Sequence, residues 1–85
     1  MKYSIEFTAR AVRDLETLPA MERRKVGKRI EALGANPRPS GVKKLQGAED
    51  LYRIRSGDYR VIYSIADKKL LILVIRVGHR KDIYE

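Results

Sequence analysis

The sequence predicts a small α+β domain in the order β-α-α-β-β-β, with a helical hairpin packed on one face of a mainly antiparallel sheet. Three observations carry this. Apolar residues alternate with period two in Lys2–Phe7 and again across 51–65. Between those stretches, apolar residues recur at helical spacing. Leu70–Ile75 is apolar at every position, as a central strand covered on both faces would be.

The elements follow in order. Tyr3, Ile5 and Phe7 share one face of a first strand. Thr8 is suited to cap the next helix. There, Val12, Leu15 and Leu18, with Ala11, form the apolar stripe. Pro19 ends that helix and can occupy the first turn of a second, which runs from Pro19 or Ala20 to Leu33 and buries Val26, Ile30 and Leu33. Gly34 is placed as its C-terminal cap, and Asn36-Pro37 confirms the stop. Gly27, inside the helix, costs about 1 kcal/mol relative to alanine, and a close helix–helix approach would explain it. Residues 34–50 hold three glycines and two prolines and form a connecting loop, with a short strand at Val42–Leu45. Strands at Leu51–Arg55, Tyr59–Ile65 and Leu70–Val77 complete the sheet, with turns at Ser56-Gly57-Asp58 and 66–69.

A chain of 85 residues without an internal repeat is one domain, 1–85. Cysteine is absent, which fits a reducing, cytoplasmic setting and excludes disulfides and thiolate metal ligands. Met1-Lys2-Tyr3 leads straight into a strand pattern rather than a signal-peptide apolar region, and no apolar run is long enough to cross a bilayer. Formal net charge is +8, unevenly placed: residues 21–45 hold eight basic and two acidic side chains. That balance favours polyanionic partners. Arg23, Arg24, Lys25, Lys28 and Arg29 on the second helix, Lys43 and Lys44 in the loop, and Lys81 are the candidate RNA- or ribosome-binding residues. A single histidine, no cysteine and scattered carboxylates offer no metal-ligand set.

Side-chain parity places the arginines. Tyr52 and Ile54 share one face of their strand, and Arg53 and Arg55 the other. In the partner strand Tyr59, Val61, Tyr63 and Ile65 oppose Arg60, Ile62 and Ser64. The apolar faces coincide only if an even number of residues forms the turn, which Ser56-Gly57 and Gly57-Asp58 both satisfy. Either register puts Arg53, Arg55 and Arg60 on one face. Neighbouring like charges are destabilising, so their clustering points to an anion.

The chain resembles the RelE branch of the RelE/ParE toxin superfamily. The resemblance rests on Phe7 and Ala11, Asn36-Pro37, Lys44-Leu45-Gln46-Gly47, Leu51-Tyr52-Arg53-Ile54-Arg55, Gly57-Asp58-Tyr59-Arg60-Val61-Ile62-Tyr63 and Val77-Gly78-His79-Arg80-Lys81-Asp82-Ile83-Tyr84, in that order and spacing. It implies the toxin of a type II toxin–antitoxin pair that cuts mRNA in the ribosomal A site, using the RNA 2′-OH as nucleophile, with no metal or cofactor. It implies as partners the ribosome, mRNA and a small acidic antitoxin. Operator DNA is met only through the antitoxin complex, and no membrane is involved.

By position, the resemblance assigns catalysis to Arg53, Arg55, Arg60, Arg80 and Tyr84. Family members carry lysines where this chain has Arg53 and Arg55, and arginine is a poor general base. His79, the sole imidazole, is therefore the acid/base candidate. Two other readings compete: a ParE-like toxin that inhibits DNA gyrase without RNA cleavage, and a catalytically weak nucleic-acid-binding member.

Overall fold

The computed structural model describes residues 2–47 and 50–83. Strand β1 (Ser4–Phe7) leads into helix α1 (Ala9–Glu16), which is followed by α2 (Ala20–Ala32), β2 (Lys43–Lys44), β3 (Leu51–Ser56), β4 (Tyr59–Ala66) and β5 (Leu71–His79). The five strands form one sheet in the order β1-β5-β4-β3-β2. Among the described residues, only β1 and β5 run parallel. The other neighbours are antiparallel, as expected for a chain joined by short turns.

Thr8 does two things at the start of α1. Its Oγ1 accepts the Ala11 N–H at 3.0 Å and donates to the Ile75 carbonyl at 2.8 Å. It thus caps the helix and pins it to β5. Of the predicted stripe on α1, Ala11, Leu15 and Leu18 pack into the core, whereas Val12 is 44% exposed. Pro19 stands at the N-cap of α2, just outside the helix rather than within its first turn. Gly34 is not a left-handed cap either. Its carbonyl accepts the Tyr3 N–H at 2.8 Å, and a Cβ there would sit 3.3 Å from the Tyr3 carbonyl oxygen. Glycine is needed for close approach, not for its dihedral freedom. Gly27 has open space where a Cβ would project, so no close helix–helix approach explains it.

Both helices lie on the same face, over a core of Ala11, Leu18, Val26, Ile30, Leu33, Ile54, Val61, Tyr63, Ile65, Ile72, Val74 and Val77. Tyr63 is fully buried within it and donates its hydroxyl to the Pro37 carbonyl at 2.6 Å. Burial pushes its pKa up to about 12. A smaller cluster of Leu45, Ile62 and Ile83, flanked by Leu51 and Ile75, covers the opposite face. Each face of β5 therefore carries its own cover, as the continuous apolar run predicts.

One irregularity redirects the end of β5. Ile62 pairs with Arg76 while Tyr63 pairs with Val74, so Ile75 has no residue opposite it. This β-bulge shifts the alternation by one. Ile72 and Val74 face the helices, and Val77 does too, at an odd spacing. Asp14 of α1 holds the bulge: its Oδ2 accepts the Val77 N–H at 2.9 Å and Arg76 Nε at 3.4 Å, and its Oδ1 accepts Arg10 Nε at 3.3 Å.

Candidate active site

The turn between β3 and β4 is the two-residue Gly57-Asp58, closed by the pair Ser56 and Tyr59. Gly57 has φ +60°, and it alone of the two central residues is left-handed. That is the primed turn whose twist matches the flanking strands and whose first position calls for glycine. The register it fixes sets Arg55 directly opposite Arg60 and Arg53 opposite Ile62. The three arginines share the face away from the helices, as parity predicts.

Arg80 joins them from β5. Its backbone N–H donates to the Asp58 carbonyl at 2.8 Å, tying the chain after β5 to the turn. Arg55, Arg60 and Arg80, with Gly57, Asp58 and Tyr59, line a recess of about 50 Å³. Asp58 Oδ1 lies 3.9 Å from Arg80 Nε, a loose and exposed pairing. Arg60 Nη1 donates to the Ile83 carbonyl at 3.4 Å. Its Nε is buried with no hydrogen-bond partner among the described residues. An orphaned buried donor costs about 1–3 kcal/mol.

Arg53 lies deeper, at 3% exposure. Burial first, then the charges of Arg60 and Arg55, pull its pKa below the ordinary guanidinium value. It remains protonated at any physiological pH.

His79 is placed differently. Uninterrupted alternation would set it on the arginine face with Leu71, Leu73 and Ile75. The bulge moves it to the face of Val77, and leaves Gly78 beside Arg60 instead. The His79 ring meets Tyr59 edge-on, centroids 5.6 Å apart. It lines a neighbouring cleft of about 410 Å³ with Glu22, Lys25 and the turn. Its Nδ1 accepts the Lys81 N–H at 3.1 Å, and its carbonyl accepts the Asp82 N–H at 2.8 Å. The imidazole thus braces the turn that follows β5, with the proton of the neutral ring on Nε2. Tyr84 lies outside the described residues.

The basic residues of α2 divide by use. Arg23 donates to the carbonyls of Leu15 (3.1 Å) and Leu18 (2.9 Å), satisfying the end of α1. Arg29 Nε donates to the Arg55 carbonyl at 3.1 Å and holds β3 from the helix side. Arg24, Lys25 and Lys28 are exposed, as are Lys43 and Lys44 on the edge strand β2 and Lys81 beyond β5. Lys43 pairs in register with Arg53, which extends the basic surface from the recess to the sheet edge.

Sequence reasoning missed Arg38 and Ile83. Arg38 lies 5.2 Å from the Tyr52 ring centroid and forms a two-pronged bond to Asp67, at 3.3 and 3.0 Å. Asp67 also accepts the Tyr3 hydroxyl at 2.6 Å, and both partners, Arg38 first, lower its pKa. An arginine between two prolines gives no periodic signal. Ile83 is 2% exposed although it lies beyond the last strand. An isolated apolar residue among charged ones was its only mark.

Among the described residues no group of three or more His, Asp or Glu side chains is placed to hold a metal ion, and no helix is long and apolar enough to cross a membrane.

Comparison with known proteins agrees in sequence and in shape. Residues 5–84 match the family described as the ParE toxin of the type II toxin–antitoxin system parDE. The chain is 32% identical to a putative RelE1 toxin of Methanocaldococcus jannaschii, covering 100% of this chain and 98% of that one. It is 34% identical to the mRNA interferase toxin RelE of Escherichia coli K12, over 95% of this chain and 86% of the relative. The RelE chain in the crystal structure of the archaeal RelE–RelB complex from Pyrococcus horikoshii superposes with a TM-score of 0.83 at 34% identity, covering 98% of this chain and 100% of that one. A fold with two helices on one face of a five-stranded, mostly antiparallel sheet, its arginines gathered at one hairpin, and these full-length likenesses place the chain in the RelE/ParE toxin superfamily, in its RelE-like branch.

Proposed function

We propose that this protein is the toxin of a type II toxin–antitoxin pair and an endoribonuclease that cuts mRNA in the ribosomal A site, acting in the cytoplasm without metal or cofactor. The observation that carries the reading is the convergence of Arg55, Arg60 and Arg80 on one recess. A phosphodiester entering it displaces the loose Asp58 contact and meets the guanidiniums that line the recess. The relatives support the class: one is named an mRNA interferase, and solved RelE neighbours are bound to RelB antitoxins. The partners are accordingly a cognate antitoxin, small and acidic, together with the ribosome and its message. Operator DNA is reached only through the antitoxin.

In the reaction, the 2′-oxygen attacks the adjacent phosphorus as its proton passes to water. The P–O5′ bond then breaks, and the departing 5′-oxygen takes a proton from water, giving a 2′,3′-cyclic phosphate and a 5′-hydroxyl end. Negative charge builds on the equatorial oxygens at the five-coordinate stage. Three guanidiniums gathered there stabilise that charge, and one such donor is worth about 100- to 1000-fold in rate. Arg53, behind them, raises the positive potential of the site. Tyr84 stacks on a base or shares proton transfer. His79 serves by bracing the turn that presents Arg80.

Mapping 5′ ends on ribosome-bound message tests the proposal. New ends in the A-site codon, abolished by Arg60→Ala, are expected. Intact message together with loss of gyrase supercoiling activity would establish the ParE-like alternative. Ribosome binding without cleavage would establish the weak binding module.

A further inference from the structure

Gly78 has no backbone reason to be glycine, since its φ lies outside the left-handed region. What requires it is space. A Cβ there would stand 2.8 Å from Ile83 Cδ1 and 2.9 Å from Cγ1, so the end of the Ile83 side chain would have to shift. Ile83 is therefore seated on the bare Cα of Gly78, with Leu45 and Ile62 closing over it. The bulge in β5 is what turns Gly78 toward this face, opposite Arg60 in register.

The seat reaches the recess by two routes. The Ile83 carbonyl accepts Arg60 Nη1 at 3.4 Å, so the wedge carries an acceptor that holds one edge of that guanidinium. The chain between seat and wedge is the turn of Arg80, Lys81 and Asp82, closed by the Asp82 N–H to the His79 carbonyl. Fixing Ile83 thus fixes both ends of the segment bearing Arg80.

We propose that Ile83, wedged on Gly78, is a positioning residue for RNA cleavage: it orients the guanidiniums of Arg60 and Arg80 in the recess without touching substrate. The proposal rests on the functional reading above. Side-chain misplacement of about 1 Å costs up to about 100-fold in rate. A wedge in the small cluster, outside the main core, influences rate while leaving the fold standing.

A size-swap cycle tests it. Gly78→Ala forces the end of the Ile83 side chain to shift, and Ile83→Ala removes the wedge. In the double variant, the new methyl has room beside the vacated Ile83 carbons and fills part of their volume. Each single variant should lower kcat on ribosome-bound message by about 10- to 100-fold with little change in KM. The double variant should recover most of that loss, and all should melt cooperatively. Hydrogen exchange at Arg60 Nε–H, followed by NMR on the free protein, gives a readout independent of cutting. It should be slow in the wild type, fast in each single variant and slowed again in the double. A double variant no faster than its slower parent, or exchange rates alike in all four proteins, overturns the proposal. A wild type that leaves message intact overturns the functional reading instead, and the exchange rates still judge the wedge.

Discussion

Arg55 and Arg60 face each other directly across the β3–β4 hairpin, one residue in from the pair that closes its turn. Two like charges at such a position work against the fold by about 0.2–1 kcal/mol. The proposed function explains their placement: a phosphate held between them offsets the repulsion. Arg55→Thr should therefore raise the unfolding midpoint slightly while cutting A-site cleavage by about 100-fold or more. Since Arg55 is exposed, the stability gain should shrink as salt is added. Urea titrations at two salt concentrations, beside cleavage assays, check both halves.

His79 is expected to act through its turn rather than through its proton. Asparagine can supply an acceptor for the N–H two residues on, as His79 Nδ1 does for Lys81. His79→Asn should thus keep most of the activity. His79→Ala should lose more, with the pH–rate profile of the remaining activity unchanged in shape. Disappearance of one limb of that profile in both variants would instead show direct proton transfer.

Arg23 and its neighbours on α2 should separate cleanly. Arg24→Glu with Lys28→Glu should weaken ribosome association, most at low salt, and leave thermal stability nearly unchanged. Arg23→Glu removes two bonds to the carbonyls ending α1 and should destabilise the fold by about 1–3 kcal/mol. Calorimetry and ribosome pelleting distinguish the two outcomes.

Alkaline pH should unfold the wild type in a way traceable to Tyr63. Its phenol is neutral in the fold up to about pH 12, whereas in the unfolded chain it ionises near the ordinary 10. The unfolded state thus holds fewer protons in that interval, so stability falls as pH rises. The contribution is intact below about pH 10 and lost on the way to 12, amounting to about 3 kcal/mol. Tyr63→Phe should cost about 1 kcal/mol at neutral pH for the bond to Pro37, but should show a shallower alkaline decline.

Gly27→Ala should stabilise by about 1 kcal/mol, because the Cβ projects into open space and the helix gains an ordinary residue. A rise in the thermal midpoint without loss of cleavage is the expected result.

Much of this molecule was legible in its residues. Period-two alternation gave the hairpin face of Arg53, Arg55 and Arg60, and the unbroken apolar run gave β5 its central place. Thr8 and Pro19 marked helix boundaries within a residue or so. What pattern could not supply was the bulge at Ile75. The Asp14 carboxylate that holds it lies 63 positions from the Val77 N–H it accepts. That single insertion moved His79 off the arginine face and brought Gly78 onto it. Likewise, Gly34 and Gly78 are glycines for reasons of contact with distant residues, which no local rule encodes.

The sheet order sets the first strand against the last. During synthesis, β1 waits: the neighbour it needs, Leu71 to Val74, is made 67 positions later. The nascent toxin therefore cannot close its sheet, or assemble the recess that Arg80 completes, while that stretch is still inside the ribosome producing it.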